Sequence, residues 1–117
     1  MSQLLVKEIE SVLNSRSNRC NYPAAMVKIV IQLGGKATRT EISTYIAKVN
    51  KSKDIAYYRS IPVYANNKAI QRIFNTDKTQ KDYIYSIKNY QELTTIEREN
   101  LIKLSNKISK QWELITA

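Results

Sequence analysis

The segment between Pro23 and Gly35 constrains the fold more than any other part of the chain. It reads AAMVKIVIQL before the glycine pair and holds a single charged residue. Proline is favoured in the first turn of a helix and glycine just past its end, so the pattern predicts a helix that stops at Gly34 and Gly35. A helix that is apolar on almost every face is buried. We therefore expect a central core helix.

Composition excludes several classes of protein. A chain of 117 residues with 43% hydrophobic content is expected to form one domain. The lone Cys20 and the absence of histidine leave no disulfide, no Cys/His metal site and no usual general base, so we expect no metal, no cofactor and no enzyme activity. No apolar run is long enough to cross a bilayer, which predicts a cytoplasmic protein without a membrane partner.

The positive charge is concentrated in one part of the sequence. The net charge of +9 divides into −1 over residues 1–15, +10 over residues 16–88 and zero over residues 89–117. Such a block indicates a polyanionic partner, above all a nucleic acid. The alternative is a lysine-rich surface that serves only solubility.

Apolar spacing predicts three further helices before residue 80. Residues 1–15 form the first, because their apolar side chains recur at helical spacing. Thr38 and Glu41 form a capping box that starts a helix ending near Val49. Pro62 then begins a helix through Asn75 that buries Ile70, Ile73 and Phe74, among others.

The region after residue 80 predicts a hairpin and a last helix. Residues 82–88 read DYIYSIK, in which apolar and polar positions alternate as in a strand. Asn89 and Tyr90 are expected to turn the chain into a short return strand over residues 91–94. A second capping box, Thr94 with Glu97, starts a long helix over residues 95–115. The expected class is mainly α with a small β-hairpin.

Two stretches carry a resemblance to a known family. The run GGKATRTEISTYIA resembles the second helix of winged-helix domains, and PVYANNKAIQRIFNTDKTQKDYIYSI is similar to winged-helix modules attached to restriction endonucleases of the modification-dependent, DpnI-like type and to small archaeal or viral regulators. The matching residues are Asn67, Ile70, Arg72 and Ile73, then Asp82, Tyr83, Ile84, Tyr85, Ser86 and Ile87.

The resemblance implies a winged helix-turn-helix over residues 23–94, extended by an N-terminal helix over 1–15 and a C-terminal helix over 95–115 within a single domain. At the wing, KNYQELT stands where such modules have glycines and a G-V-W-x-L-like strand. The implied function is non-catalytic binding of double-stranded DNA, as a transcription regulator or as the recognition part of a restriction system with a separate nuclease or regulatory partner.

The side chains suited to DNA contact lie on one face of helix 62–75 and around it. Arg suits guanine edges, Asn and Gln suit adenine, and Lys suits phosphates. Helix-terminal amides near Thr40 are expected to add phosphate contacts. The predicted DNA-binding residues are Lys36, Arg39, Thr40, Arg59, Asn67, Lys68, Gln71, Arg72, Asn75, Lys78, Lys81 and Lys88.

Two alternatives use other residues. The terminal helices offer apolar surface for a homodimer or another protein partner, or else they pack on the core of their own chain. The predicted dimer residues are Leu4, Ile9, Leu13, Leu101, Leu104, Ile108 and Trp112. Tyrosines with basic neighbours suggest RNA or single-strand binding by stacking. These are Tyr57, Tyr58, Tyr83, Tyr85 and Tyr90.

Overall fold

Helices dominate the fold, and a small three-stranded antiparallel sheet completes it. The structure, a computed structural model, describes residues 2–14, 22–49 and 68–116. The described elements, in chain order, are α1 (Ser2–Leu13), α2 (Tyr22–Gln32), β1 (Lys36–Thr38), α3 (Arg39–Val49), α4 (Lys68–Ile73), β2 (Phe74–Asp77), β3 (Ile84–Ile87), a 3₁₀ helix (Tyr90–Glu92) and α5 (Thr95–Thr116).

Helix α2 lies at the centre of the core, as the sequence predicts. Four consecutive side chains, those of residues 24–27, are fully buried, so neighbours cover the helix on every side. Helix α5 provides the largest of these contacts. The helix ends where the backbone of Gly34 and Gly35 takes positive φ angles of 91° and 110°. The Gly35 N–H then donates to the carbonyl oxygen of Val30 at 2.8 Å, which closes the helix.

The terminal helices pack on the core of their own chain. Ile9, Leu13 and Leu101 are buried in the same cluster as α2, and Leu104 and Ile108 are partly buried against it. Ile9, Leu13 and Leu101 are therefore covered within one chain, and dimerisation through the terminal helices stays a prediction. Leu4 is exposed. The side chain of Trp112 lies outside the described part of the structure.

Strand β3 lies in the middle of the sheet, between β1 and β2. Its Tyr85 pairs with Ala37 on one side and with Thr76 on the other. The alternation predicted for this segment is confirmed, since Tyr85 and Ile87 are buried while Ser86 is partly exposed. Burial raises the pKa of the Tyr85 phenol, against a smaller opposing effect of the Arg39 charge.

Two strands lie where the sequence predicted other structure. Lys36–Thr38 forms β1, which was not predicted. The helix expected to reach Asn75 ends at Ile73, and Phe74 begins β2. Pairing of Phe74 with Ile87 and of Asn75 with Ser86 outweighs the local helical pattern there. Residues 62–67 of the predicted helix lie outside the described residues.

The hairpin also differs from the prediction. Strand β3 pairs with β2 before it, through a loop over residues 78–83, and not with a return strand after it. Asn89 takes a left-handed conformation with φ 56°, which asparagine tolerates better than most residues. It leads into the 3₁₀ helix, where the Glu92 N–H donates to the Asn89 carbonyl oxygen at 2.9 Å. Leu93 then packs into the core.

Both predicted capping boxes are confirmed. In the first, the Thr38 N–H donates to Glu41 Oε1 at 2.9 Å and the Glu41 N–H donates to the Thr38 hydroxyl at 3.1 Å. Thr94 and Glu97 make the same two bonds with the same two lengths at the start of α5. The start of both helices was therefore predictable from four residues.

Gly35 also provides space for an aromatic ring. A Cβ atom on Gly35 would lie 2.5 Å from the Tyr90 ring. The guanidinium of Arg98 lies 4.3 Å from the centre of the same ring. Tyr90 is thus packed between the end of α2 and helix α5, and residue 35 must be glycine for both its conformation and this contact.

Candidate nucleic-acid interface

The loop over residues 78–83 and Asp77, the last residue of β2, together hold two acidic and two basic side chains in different surroundings. Asp77 Oδ1 accepts hydrogen bonds from the hydroxyl and from the N–H of Thr79, and these bonds lower the pKa of Asp77. Asp82 Oδ1 accepts the N–H of Thr40 at 3.2 Å. Lys78 and Lys81 are exposed. Asp82 is therefore partly buried and bonded to the start of α3, whereas Asp77 is exposed like the two lysines.

The loop is held against the start of α3. Besides the bond from Thr40 to Asp82, the Arg39 N–H donates to the Tyr83 carbonyl oxygen at 2.7 Å. The Arg39 guanidinium lies 5.8 Å from the centre of the Tyr83 ring. These contacts join residues more than forty positions apart, and they fix the end of the loop relative to α3.

The same contacts correct one prediction about α3. The N–H groups of Thr38, Arg39, Thr40 and Glu41 all donate to acceptors within the chain. Phosphate contact through these helix-terminal amides is therefore excluded in this conformation. The side chains remain usable, since that of Lys36 is exposed and those of Arg39 and Thr40 are half-buried.

The outer face of the sheet brings together two residues that the sequence placed apart. Lys36 pairs with Ser86, and Ser86 pairs with Asn75, so the three side chains form one row across the strands. Adjacent strands lie about 4.8 Å apart, which puts Lys36 and Asn75 about 10 Å from each other. We call the surface formed by Lys36, Asn75, Lys78, Lys81 and Ser86 the sheet surface.

The remaining predicted residues lie around α4 or outside the described residues. Gln71 and Arg72 are exposed, and Arg72 Nε lies 3.6 Å from Glu8 Oε1 on α1. Both partners of this pair are largely solvent-accessible, so the interaction is weak. Lys88 follows β3 at the end opposite the loop that contains Lys78 and Lys81, and its N–H donates to the Ile73 carbonyl oxygen. Arg59, Asn67 and the side chain of Lys68 are not in the described part.

Several residues that shape the sheet surface were missed by sequence reasoning. Asp82 and Asp77 accept hydrogen bonds that order the loop, and Ser86 lies between Lys36 and Asn75 in the row across the strands. A D-x-T pattern at residues 77–79 is the only local signal among these, because an aspartate commonly accepts a hydrogen bond from the backbone two residues on. The other contacts depend on strand pairing.

The tyrosines whose surroundings the structure describes are not arranged for base stacking. Tyr85 is buried, Tyr90 is packed between Gly35 and Arg98, and Tyr83 is half-buried beside Arg39. Tyr57 and Tyr58 lie outside the described residues. Stacking of single-stranded bases needs exposed ring faces. In this conformation, three of the five tyrosines predicted for single-strand binding are therefore buried or already in contact with other groups of the protein.

Within the described ranges, no three acidic or cysteine side chains cluster in a way that could hold a metal ion. Among the helices described there, none is both long and apolar enough to cross a membrane.

Comparison with known proteins found no relative: no family model matches the chain, and no curated protein or solved structure matches it significantly. The chemistry of the described surfaces is therefore the basis for assigning a function.

Proposed function

We propose that the protein binds double-stranded DNA as a winged helix and does so without catalysis. The observation that carries the proposal is the β2–β3 loop, in which Lys78 and Lys81 are exposed while Asp82, the carboxylate of the loop, is partly buried and accepts the Thr40 N–H. Residues 78–83 hold two lysines and one aspartate, so the loop has a net charge of +1. In this proposal the loop is the wing, and it holds the DNA backbone.

The order of elements supports the same proposal. Among the described residues, the elements from α2 to β3 are helix, strand, helix, helix, strand and strand, with β3 between the other two strands. This is the order expected of a winged helix-turn-helix, in which α4 enters the major groove. Gln71 and Arg72 then reach the base edges or adjacent phosphates from the exposed side of α4.

Duplex DNA also suits the separation of charge on the molecule. Exposed Lys36, Lys78 and Lys81 belong to the sheet surface, whereas Glu10, Glu97 and Glu99 lie on the terminal helices. A polyanion approaching the sheet surface therefore meets three exposed lysines against the exposed carboxylate of Asp77. In the cell this binding serves a cytoplasmic transcription regulator or the DNA-recognition part of a restriction system that acts with a separate nuclease.

A salt titration against a random-sequence duplex tests the proposal. If roughly five phosphates are neutralised, the logarithm of the affinity falls with the logarithm of salt concentration at a slope of about −4 to −5. The variant Lys78→Gln/Lys81→Gln removes two loop charges and is expected to make the slope shallower by about 2. Lys103→Gln/Lys107→Gln removes two exposed charges from α5 and is the matched control, with no change in slope.

A slope near zero for the unaltered protein would contradict DNA binding altogether. An equal change of the salt slope in both double variants would contradict the assignment of the β2–β3 loop as the wing. It would show that the position of a lysine on the surface does not affect DNA binding. Stronger binding to a single strand than to a duplex of equal length would favour the stacking alternative.

A further inference from the structure

A shallow apolar trough runs between α2 and α3 and continues to β1. It consists of two depressions, of about 310 and 280 Å³, which share Leu33 and Glu41. Ile29 and Tyr45 line the first, and Ala37 and Ile84 line the second. Leu33 stands between them with 45% of its surface exposed. We call this feature the α2–α3 trough.

Cations surround the trough. Lys48 and Lys36 line its two depressions, and Lys28 Nζ lies 5.4 Å from the centre of the Tyr45 ring. Glu41 is the carboxylate among the lining residues, and its Oε1 accepts the Thr38 N–H in the capping box. A ligand seated in the trough therefore meets apolar side chains in the middle and ammonium groups at the edge.

This combination does not suit a nucleic-acid backbone. Protein–DNA interfaces are polar, and phosphates gain nothing from exposed Leu33 or from half-buried Ile29 and Tyr45. The sheet surface, by contrast, places no large exposed apolar side chain beside Lys78 and Lys81 among the described residues. Exposed apolar surface with a polar rim is typical of a protein-binding site.

We infer that the α2–α3 trough binds a short segment of a partner protein in which apolar side chains are flanked by aspartate or glutamate. The apolar side chains pack on Leu33, Ile29 and Tyr45, and the carboxylates pair with Lys28, Lys36 and Lys48. Charge complementarity selects this partner over a basic segment, which the three lysines repel. The inference goes beyond DNA binding, because the trough shares only Lys36 with the sheet surface and the inference does not depend on that proposal.

Selection from random peptides tests the inference directly. Random 16-residue peptides displayed on phage are selected on the full-length chain, and selected peptides are then synthesised for titration. Sequences enriched in both acidic and large apolar residues are expected. Leu33→Asp, which places a carboxylate in the trough, is expected to weaken their binding about tenfold or more. Ile96→Asp is the matched control, since Ile96 is an exposed apolar residue on α5.

Three results would overturn the inference. The first is a set of selected peptides without enrichment in acidic residues. The second is an equal loss of peptide affinity in Leu33→Asp and Ile96→Asp. The third is self-association of the chain that Leu33→Asp abolishes, which would make a second copy of the chain the occupant of the trough. Duplex titration of both variants separates the two proposals. Leu33→Asp is expected to keep its DNA affinity within about twofold, so loss of peptide binding and loss of DNA binding are distinguishable.

Discussion

The sheet surface and the α2–α3 trough are both basic, yet they differ in what lies between their lysines. On the sheet surface, Lys78 and Lys81 flank polar residues of the loop, and the nearby carboxylates bond internally. In the trough, Lys28 and Lys48 flank an exposed leucine and a tyrosine. The positive block of the sequence therefore folds into two surfaces with different chemistry. Net charge alone suggests one polyanionic partner, whereas the apolar residues distinguish two kinds of partner.

Gly35 directly precedes Lys36, the residue that the two surfaces share, and its substitution is expected to have the largest effect. Gly35→Ala must hold an alanine at a φ of 110° and place its Cβ against the Tyr90 ring. We expect a loss of about 2–4 kcal/mol in the free energy of unfolding, from backbone strain and overpacking together. Urea denaturation measures it.

Gly34→Ala is the control for the Gly35 substitution. Its φ is also positive, at 91°, but no atom lies near the added Cβ. A loss of only about 1 kcal/mol is expected, from the backbone conformation alone. Equal losses in the two variants would show that the Tyr90 contact contributes nothing.

Substituting the lysines of each surface in turn tests whether the two surfaces bind different ligands. Lys78→Gln/Lys81→Gln is expected to lower duplex affinity about tenfold at 0.15 M salt and to leave binding of the selected acidic peptides unchanged. Lys28→Gln/Lys48→Gln is expected to do the reverse, with a change in duplex affinity below about twofold. Fluorescence anisotropy with labelled duplex and labelled peptide measures both. Parallel losses for both ligands would mean that the two surfaces act as one.

The smallest expected effect concerns the pKa of Asp77. Bonds from Thr79 lower this pKa, so they stabilise the loop above the ordinary pKa of an aspartate, and that contribution is lost as pH falls through the lowered value. Thr79→Ala removes the hydroxyl bond and is expected to raise the pKa of Asp77, whereas Thr79→Ser retains the bond. An NMR titration of the Asp77 carboxyl carbon measures the shift. An unchanged pKa in Thr79→Ala would show that the hydroxyl has no role in ordering the loop.

The parts of the fold that depend on local sequence could be predicted. Each capping box needs two residues three positions apart, and α2 needs one apolar run with a glycine stop. Strand β1 could not be predicted, because three residues carry no clear alternation and their partner is Ile84–Ser86, almost fifty positions later. Asn75 was assigned to a helix for the same reason, since only its pairing with Ser86 makes it a strand residue.

In the candidate site, the sequence predicts the exposed residues but not the long-range contacts that bring them together. The identity of the exposed basic residues follows from the sequence, and most of those described are indeed exposed. The bond between Thr40 and Asp82 spans 42 positions, so the sequence did not indicate that α3 and the loop are joined there. The trough was missed because Leu33 was treated as the end of a core helix, and its exposure depends on how α3 packs.

The position of β3 has a consequence for how the chain acquires its structure during synthesis. Strands β1 and β2 have no pairing with each other, and each pairs only with β3, which comes last of the three along the chain. As the polypeptide emerges from the ribosome, Lys36–Thr38 and Phe74–Asp77 must wait until residues 84–87 have been made. The helices can form earlier from local contacts, whereas the complete sheet forms late. The β2–β3 loop and the outer row of Lys36, Ser86 and Asn75 therefore take shape only after about three quarters of the chain is already synthesised.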